Sequence, residues 1–154
     1  MIHHVSIPAL DPESAARTIA RLTGWEALPF PIFPGCMLVM AEDGHGTGME
    51  IYPADARMIP GPAGVVELDR GGVPATGGAF HVNLSVAATA EDILAIAESA
   101  GWPARISPRG PFYKVVEVWV EGHTLLEVLP AEQRQAYESF TTPANWKANF
   151  GEAR

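Results

Sequence analysis

The chain has 154 residues, 47% of them hydrophobic, enough for one compact domain with a substantial core. Its net charge of −8 argues against a nucleic-acid partner or an anionic membrane surface, and no apolar run reaches membrane-spanning length. The single cysteine, Cys36, excludes an intramolecular disulfide and fits a cytoplasmic protein.

Residues 2–8 read as a first strand. Val5 and Ile7 alternate with His4 and Ser6, so His4 sits on the face turned away from the apolar side. Asp11-Pro12-Glu13 opens a helix, with Asp as N-cap and Pro at the first helical position. Ala15, Ala16, Ile19, Ala20 and Leu22 give it a face for a sheet, and Gly24 ends it. Residues 37–40 and 49–52 flank the turn Glu42-Asp43-Gly44-His45-Gly46, a hairpin signal. Residues 55–79 are rich in Gly and Pro and read as a long connection, of a length that suits wrapping a partner or walling a cavity. Residues 80–87 repeat the first strand, with His81, Asn83 and Ser85 opposite Val82, Leu84 and Val86. A second helix starts near Thr89, with Glu91 and Asp92 in its first turn, and ends at Gly101. Residues 114–120 and 124–129 form another hairpin, and residues 131–140 a terminal helix. Beyond it, Trp146 and Phe150 are expected to dock on the rest of the chain or on a partner.

The order strand, helix, three strands therefore occurs twice, and the residues match. Residues 4–54 align with 81–131 at a constant offset, 81 − 4 = 77, with 14 identities in 51 positions against about three or four by chance. The matches include His4 with His81, Glu50 with Glu127, Gly24-Trp25 with Gly101-Trp102, and Pro53-Ala54 with Pro130-Ala131. The expected organisation is one α+β domain: module one at 1–54, the connection at 55–79, module two at 80–131, and a helix and tail at 132–154.

Glu50 lies between Met49 and Ile51, and Glu127 between Leu126 and Val128. A charge inside an apolar strand is costly unless it is exposed, paired or metal-bound. Two histidines and two glutamates at equivalent places in a duplicated fold can converge near its pseudo-twofold axis, a nitrogen and carboxylate set suited to a divalent first-row metal. Each histidine alone reads equally well as a surface residue; the matched quartet tips the balance. His3 has the parity of the core residues, and His45 and His123 fall in turns expected to be exposed. Asn83, Ser85, Ser6, Tyr52 and Leu129 share the faces of the quartet and are expected to line the cavity. Arg109 and Lys114 flank Pro111-Phe112-Tyr113 and are candidate holders of an anionic substrate group, beside the plainer reading of a solvated turn. Trp25, Trp102 and Cys36 read as structural. Neither a phosphate-binding glycine loop nor a serine-nucleophile motif is present.

The H-V-x-I/L start of each module, the helix ending near Gly-Trp and the closing M/L-E-I/V-x-P resemble the vicinal oxygen chelate superfamily. Glyoxalase I, methylmalonyl-CoA epimerase, extradiol dioxygenases, fosfomycin-resistance enzymes and bleomycin-binding proteins belong to it. The resemblance implies paired βαβββ modules whose sheet curls around a metal cleft. It maps the metal ligands onto His4, Glu50, His81 and Glu127, a set similar to that of glyoxalase I. Val120-Glu121-Gly122-His123-Thr124 stands where many members have D-P-D-G, and the glutathione-binding residues of glyoxalase I have no match.

The activity so implied is that of a metal-dependent lyase or isomerase, passing through an enediolate of a small oxygen-chelating substrate. Glu50 and Glu127 are the candidate catalytic carboxylates, Glu127 the preferred base. The ion would be nickel, zinc, cobalt, manganese or iron. A homodimer is expected, with the ligands drawn from one chain or from two. The alternatives are a sequestering protein of the same fold that binds a small molecule without turnover, and a metal-dependent dioxygenase, disfavoured by the second glutamate.

Overall fold

The structure, a computed structural model, describes residues 2–60, 66–74 and 79–150. Module one runs β1 (His4–Ala9), α1 (Pro12–Thr23), β2 (Glu26–Pro29), β3 (Met37–Met40) and β4 (Gly48–Pro53). A hairpin of β5 (Arg57–Pro60) and β6 (Val66–Asp69) follows. Module two runs β7 (His81–Ser85), α2 (Ala90–Ser99), β8 (Ala104–Arg109), β9 (Tyr113–Val120) and β10 (Thr124–Leu129). A short 3-10 turn at Ala131–Gln133 leads to α3 (Arg134–Phe140) and α4 (Pro143–Phe150). The two main sheets have the same order, β1-β4-β3-β2 and β7-β10-β9-β8, with the first and last strands of each module parallel. The duplication in sequence is thus a duplication in topology.

The helices form where their caps dictate. The Asp11 carboxylate accepts the Ser14 amide at 3.0 Å, and Gly24 takes a φ of 76° at the end of α1, a conformation that penalises any Cβ. Thr89 and Asp92 make a reciprocal capping box on α2. Both helices cover the apolar faces of their sheets. Ile7, Ile19, Leu22, Val39, Met49 and Ile51 of module one are continuous with Ile93, Trp102, Val116, Val118, Leu126 and Val128 of module two. One core therefore serves both modules, which answers the marginal burial available to either alone. The Glu121 carboxylate ties the modules further, accepting the backbone N–H groups of Leu10 and Asp11 at the start of α1.

The gap-free sequence offset conceals a local shift. Strands β1 and β4 map onto β7 and β10 at 77, because Ser6 pairs with Glu50 as Asn83 pairs with Glu127. In the antiparallel ladder, however, Leu38 lies opposite Glu50 whereas Glu117 lies opposite Glu127; 117 − 38 = 79. Two residues gained before β9 are lost again in its shorter turn to β10. Val39 therefore corresponds in space to Val118, not to Val116.

The expected connection at 55–79 contains the β5–β6 hairpin, a pair of four-residue strands too short for their alternation to stand out among Gly and Pro. The tail residues 143–150 are helical. Phe140 stacks on Phe112 with ring centroids 3.7 Å apart, and Phe150 meets both rings edge-on. Trp25 is half-buried against the core and Trp102 is buried, as is Cys36. His45 is exposed, but His123 is half-buried, since the three-residue turn holds it close to β9 through its backbone.

Candidate functional site

Alternation places one polar face on each sheet, opposite its helix. In module one this face carries His4 and Ser6 from β1, Glu50 and Tyr52 from β4, and Leu38 and Met40 from β3. His4 Nε2 lies 3.8 Å from Glu50 Oε1, with side chains 58% and 17% exposed. Ser6 Oγ and the Tyr52 hydroxyl each donate to Glu50 Oε2 at 3.0 Å. One carboxylate oxygen is thus oriented by neutral donors while the other faces the histidine. Burial, then the hydrogen bond to Glu50, pushes the Tyr52 hydroxyl pKa well above its ordinary range, so it remains a donor.

The equivalent face of module two is built differently. His81 is exposed, and its Nδ1 lies 3.1 Å from the Ala79 carbonyl oxygen. A proton on Nδ1 donates to that carbonyl and leaves Nε2 free as a ligand. Glu127 is engaged by a cation: Arg109 Nη2 donates to its Oε1, and Asn83 Nδ2 donates to its Oε2 at 3.4 Å. The same Arg109 nitrogen reaches Glu117 Oε1 at 3.1 Å, and Arg105 Nε donates to Glu117 Oε2 at 2.7 Å. Burial opposes the charges of Arg109 and Glu117. Their hydrogen bonds outweigh it, so Arg109 is raised and Glu117 lowered from their ordinary pKa values.

Several sequence-predicted residues fall on these faces and others do not. Tyr52 and Asn83 touch the glutamates directly, as does Arg109. Ser85 is exposed at the far end of β7, paired with Leu129. Lys114 is turned away, because its strand position matches Val116 and Val118 on the helix-covered side; its register partner is Pro108. Glu117 and Arg105 escaped the sequence reading. Glu117 carries the signal that marked the other two glutamates, a charge between core valines, but has no counterpart at the 77-residue offset.

The β5–β6 hairpin adds a wall to module one. With Ser6, Pro8, Tyr52 and Pro53, its Met58 and Leu68 line an open pocket of about 260 Å³.

The donor chemistry of one pair, His4 and Glu50, fits a divalent ion. A nitrogen and a carboxylate oxygen 3.8 Å apart are within reach of one ion with bonds of about 2.1 Å. Within one chain, though, the quartet does not converge: among the described residues, no three His, Cys, Asp or Glu side chains gather at a common point. The two pairs sit on separate sheets of the chain.

The fold is shared with solved glyoxalase-family and fosfomycin-resistance structures. The chain is similar to FosX, a fosfomycin resistance protein from Listeria monocytogenes solved with Mn(II) and sulfate, at a TM-score of 0.59 and 8% identity over 91% of this chain and 97% of that one. It is similar to lactoylglutathione lyase from Agrobacterium tumefaciens at a TM-score of 0.55 and 14% identity, covering 86% and 94%. A glyoxalase-family protein from Bacillus anthracis gives 0.54 and 15%, covering 84% and 93%. No family sequence model and no curated protein sequence matches. Among the described residues no helix is long and apolar enough to cross a membrane.

Proposed function

We propose that the chain is a metal-dependent lyase or isomerase of glyoxalase or epimerase type, acting as a homodimer on a small substrate with two neighbouring oxygens. His4 and Glu50 of one chain would hold the ion together with His81 and Glu127 of the second. When bound, such an ion polarises the substrate oxygens and stabilises the negative charge that develops as a proton leaves carbon.

The observation that carries this reading is that the two pairs occupy equivalent strand positions in the two modules. The row His4–Gly48–Met40 across module one is equivalent to His81–Leu125–Trp119 across module two. Both rows end in exposed apolar side chains, Met40 and Trp119, and Ile2 and Phe80 stand exposed beside the histidines. Apolar surface beside a polar ligand pair is what a second module would cover.

The protein's own groups then have distinct tasks. Tyr52 and Ser6 fix Glu50, so that it keeps one orientation through turnover. The open pocket lined by Met58 and Leu68 takes a small apolar portion of the substrate. Glu127 is the proton acceptor, oriented by Arg109 and Asn83. The test is deuterium exchange at the carbon next to a carbonyl, over 2-hydroxy and 2-oxo compounds and acyl thioesters, with nickel, cobalt, zinc, manganese or iron. Exchange by the wild type and loss of about 10²-fold or more in Glu127→Gln with metal retained is the expected result. Tight binding of one compound with no exchange would favour a sequestering protein instead.

A further inference from the structure

The two half-sites differ in one respect that duplication does not explain. Glu50 faces Leu38 across its ladder and is held by neutral donors; Glu127 faces Glu117 and is held by a guanidinium. We propose that Arg109 is a resident competitor for the metal: its guanidinium occupies Glu127, and a divalent ion enters only when Arg109 withdraws onto Glu117. This rests on the metal-dependent reading above, and deepens it by naming what controls occupancy.

Three features carry the inference. Arg109 Nη2 bridges both glutamates, so its retreat from Glu127 keeps a carboxylate partner and does not strand a partly buried charge. Its Nη1 donates to Ser107 Oγ at 2.8 Å, which anchors the far end of the guanidinium during such a swing. Glu117 in turn is held by Arg105 at 2.7 Å, in place to receive Arg109. A guanidinium and a metal ion cannot share the same carboxylate oxygen without like-charge repulsion. The apparent metal affinity is therefore reduced by the fraction of molecules in which Arg109 sits on Glu127.

The experiment is a Mn²⁺ titration of the purified full chain, read by loss of the free-ion EPR signal and by calorimetry. Arg109→Met is expected to bind Mn²⁺ about tenfold or more tightly than wild type, as removal of a competitor populated at roughly 90% would give. Glu117→Gln is expected to bind more weakly than wild type, because Arg109 is left with Glu127 as its main partner. Opposite signs in the two variants separate competition from general loosening, which would move both in one direction. Arg109→Met combined with Glu117→Gln removes the facing charges and serves if the single variant does not fold. Adding His4→Ala to either should abolish the gain. Equal, tight binding in wild type and Arg109→Met would overturn the competitor and leave the metal reading standing. No Mn²⁺ binding by any of the proteins would overturn both.

Discussion

Replacing Arg109 by Met should destabilise the protein in a way that its other carboxylate contacts only partly relieve. The change removes the guanidinium shared by Glu117 and Glu127, whose side chains are only 10% and 15% exposed. The two are register partners, so their carboxylates then face each other across roughly 5 Å of ladder. An unpaired charge in a fully buried site costs about 3–5 kcal/mol. Arg105 still holds Glu117, but its side chain is 74% exposed and screened by water, and Asn83 offers Glu127 one long hydrogen bond. Allowing for both, the expected cost is about 2 kcal/mol at pH 7, a fall of roughly 1 M in the urea midpoint. Glu127→Gln in the same chain should recover about half of it, a coupling of about 1 kcal/mol in a double-mutant cycle. Urea unfolding of the four proteins measures this directly. Strict additivity, or a midpoint shift for Arg109→Met below about 0.3 M, would refute the shared-cation account.

Glu117 has a folded pKa below its ordinary value of 4.5, so its stabilisation is present above that pH and is lost as pH falls through the lower folded value. Glu117→Gln should therefore flatten the acid limb of a stability-versus-pH curve below about pH 4.5; an unchanged limb would show that the pairing is not retained in solution. Leu126→Ala, at a fully buried site in the shared core, should cost about 2–5 kcal/mol by thermal or urea unfolding. Asp11→Ala should cost about 1 kcal/mol by the same measurement through loss of the α1 cap, and a neutral result would mean the helix start is held by Glu121 alone.

The fold was legible because duplication repeats its signals. His4 and His81, Glu50 and Glu127, and the two Gly-Trp pairs survive at one offset, and caps at Asp11 and Thr89 mark both helices. What escaped was non-local. Glu117 faces Glu127 only because β9 is shifted by two residues relative to β3, and a shift that compensates within one hairpin leaves the overall offset intact. Arg109 was legible as a cation near the cleft, but its attachment to Glu127 depends on pairing across β8, β9 and β10, where Arg109 meets Tyr113 and Glu117 meets Arg105. Lys114, grouped with it in sequence, points to the other side because strand neighbours alternate. The β5–β6 hairpin was hidden because its strands are short and joined through Gly and Pro.

Subunit mixing tests the proposal that two chains share each metal site. His4→Ala chains and Glu127→Gln chains should each retain little Mn²⁺ alone. Unfolded together at equal amounts and refolded, they form mixed dimers in which one site draws His4 and Glu50 from the second chain and His81 and Glu127 from the first. Random pairing makes about half of all dimers mixed, with one intact site each, so Mn²⁺ binding should return to about a quarter of the wild-type level. Wild-type binding with no recovery on mixing would contradict a site shared between chains.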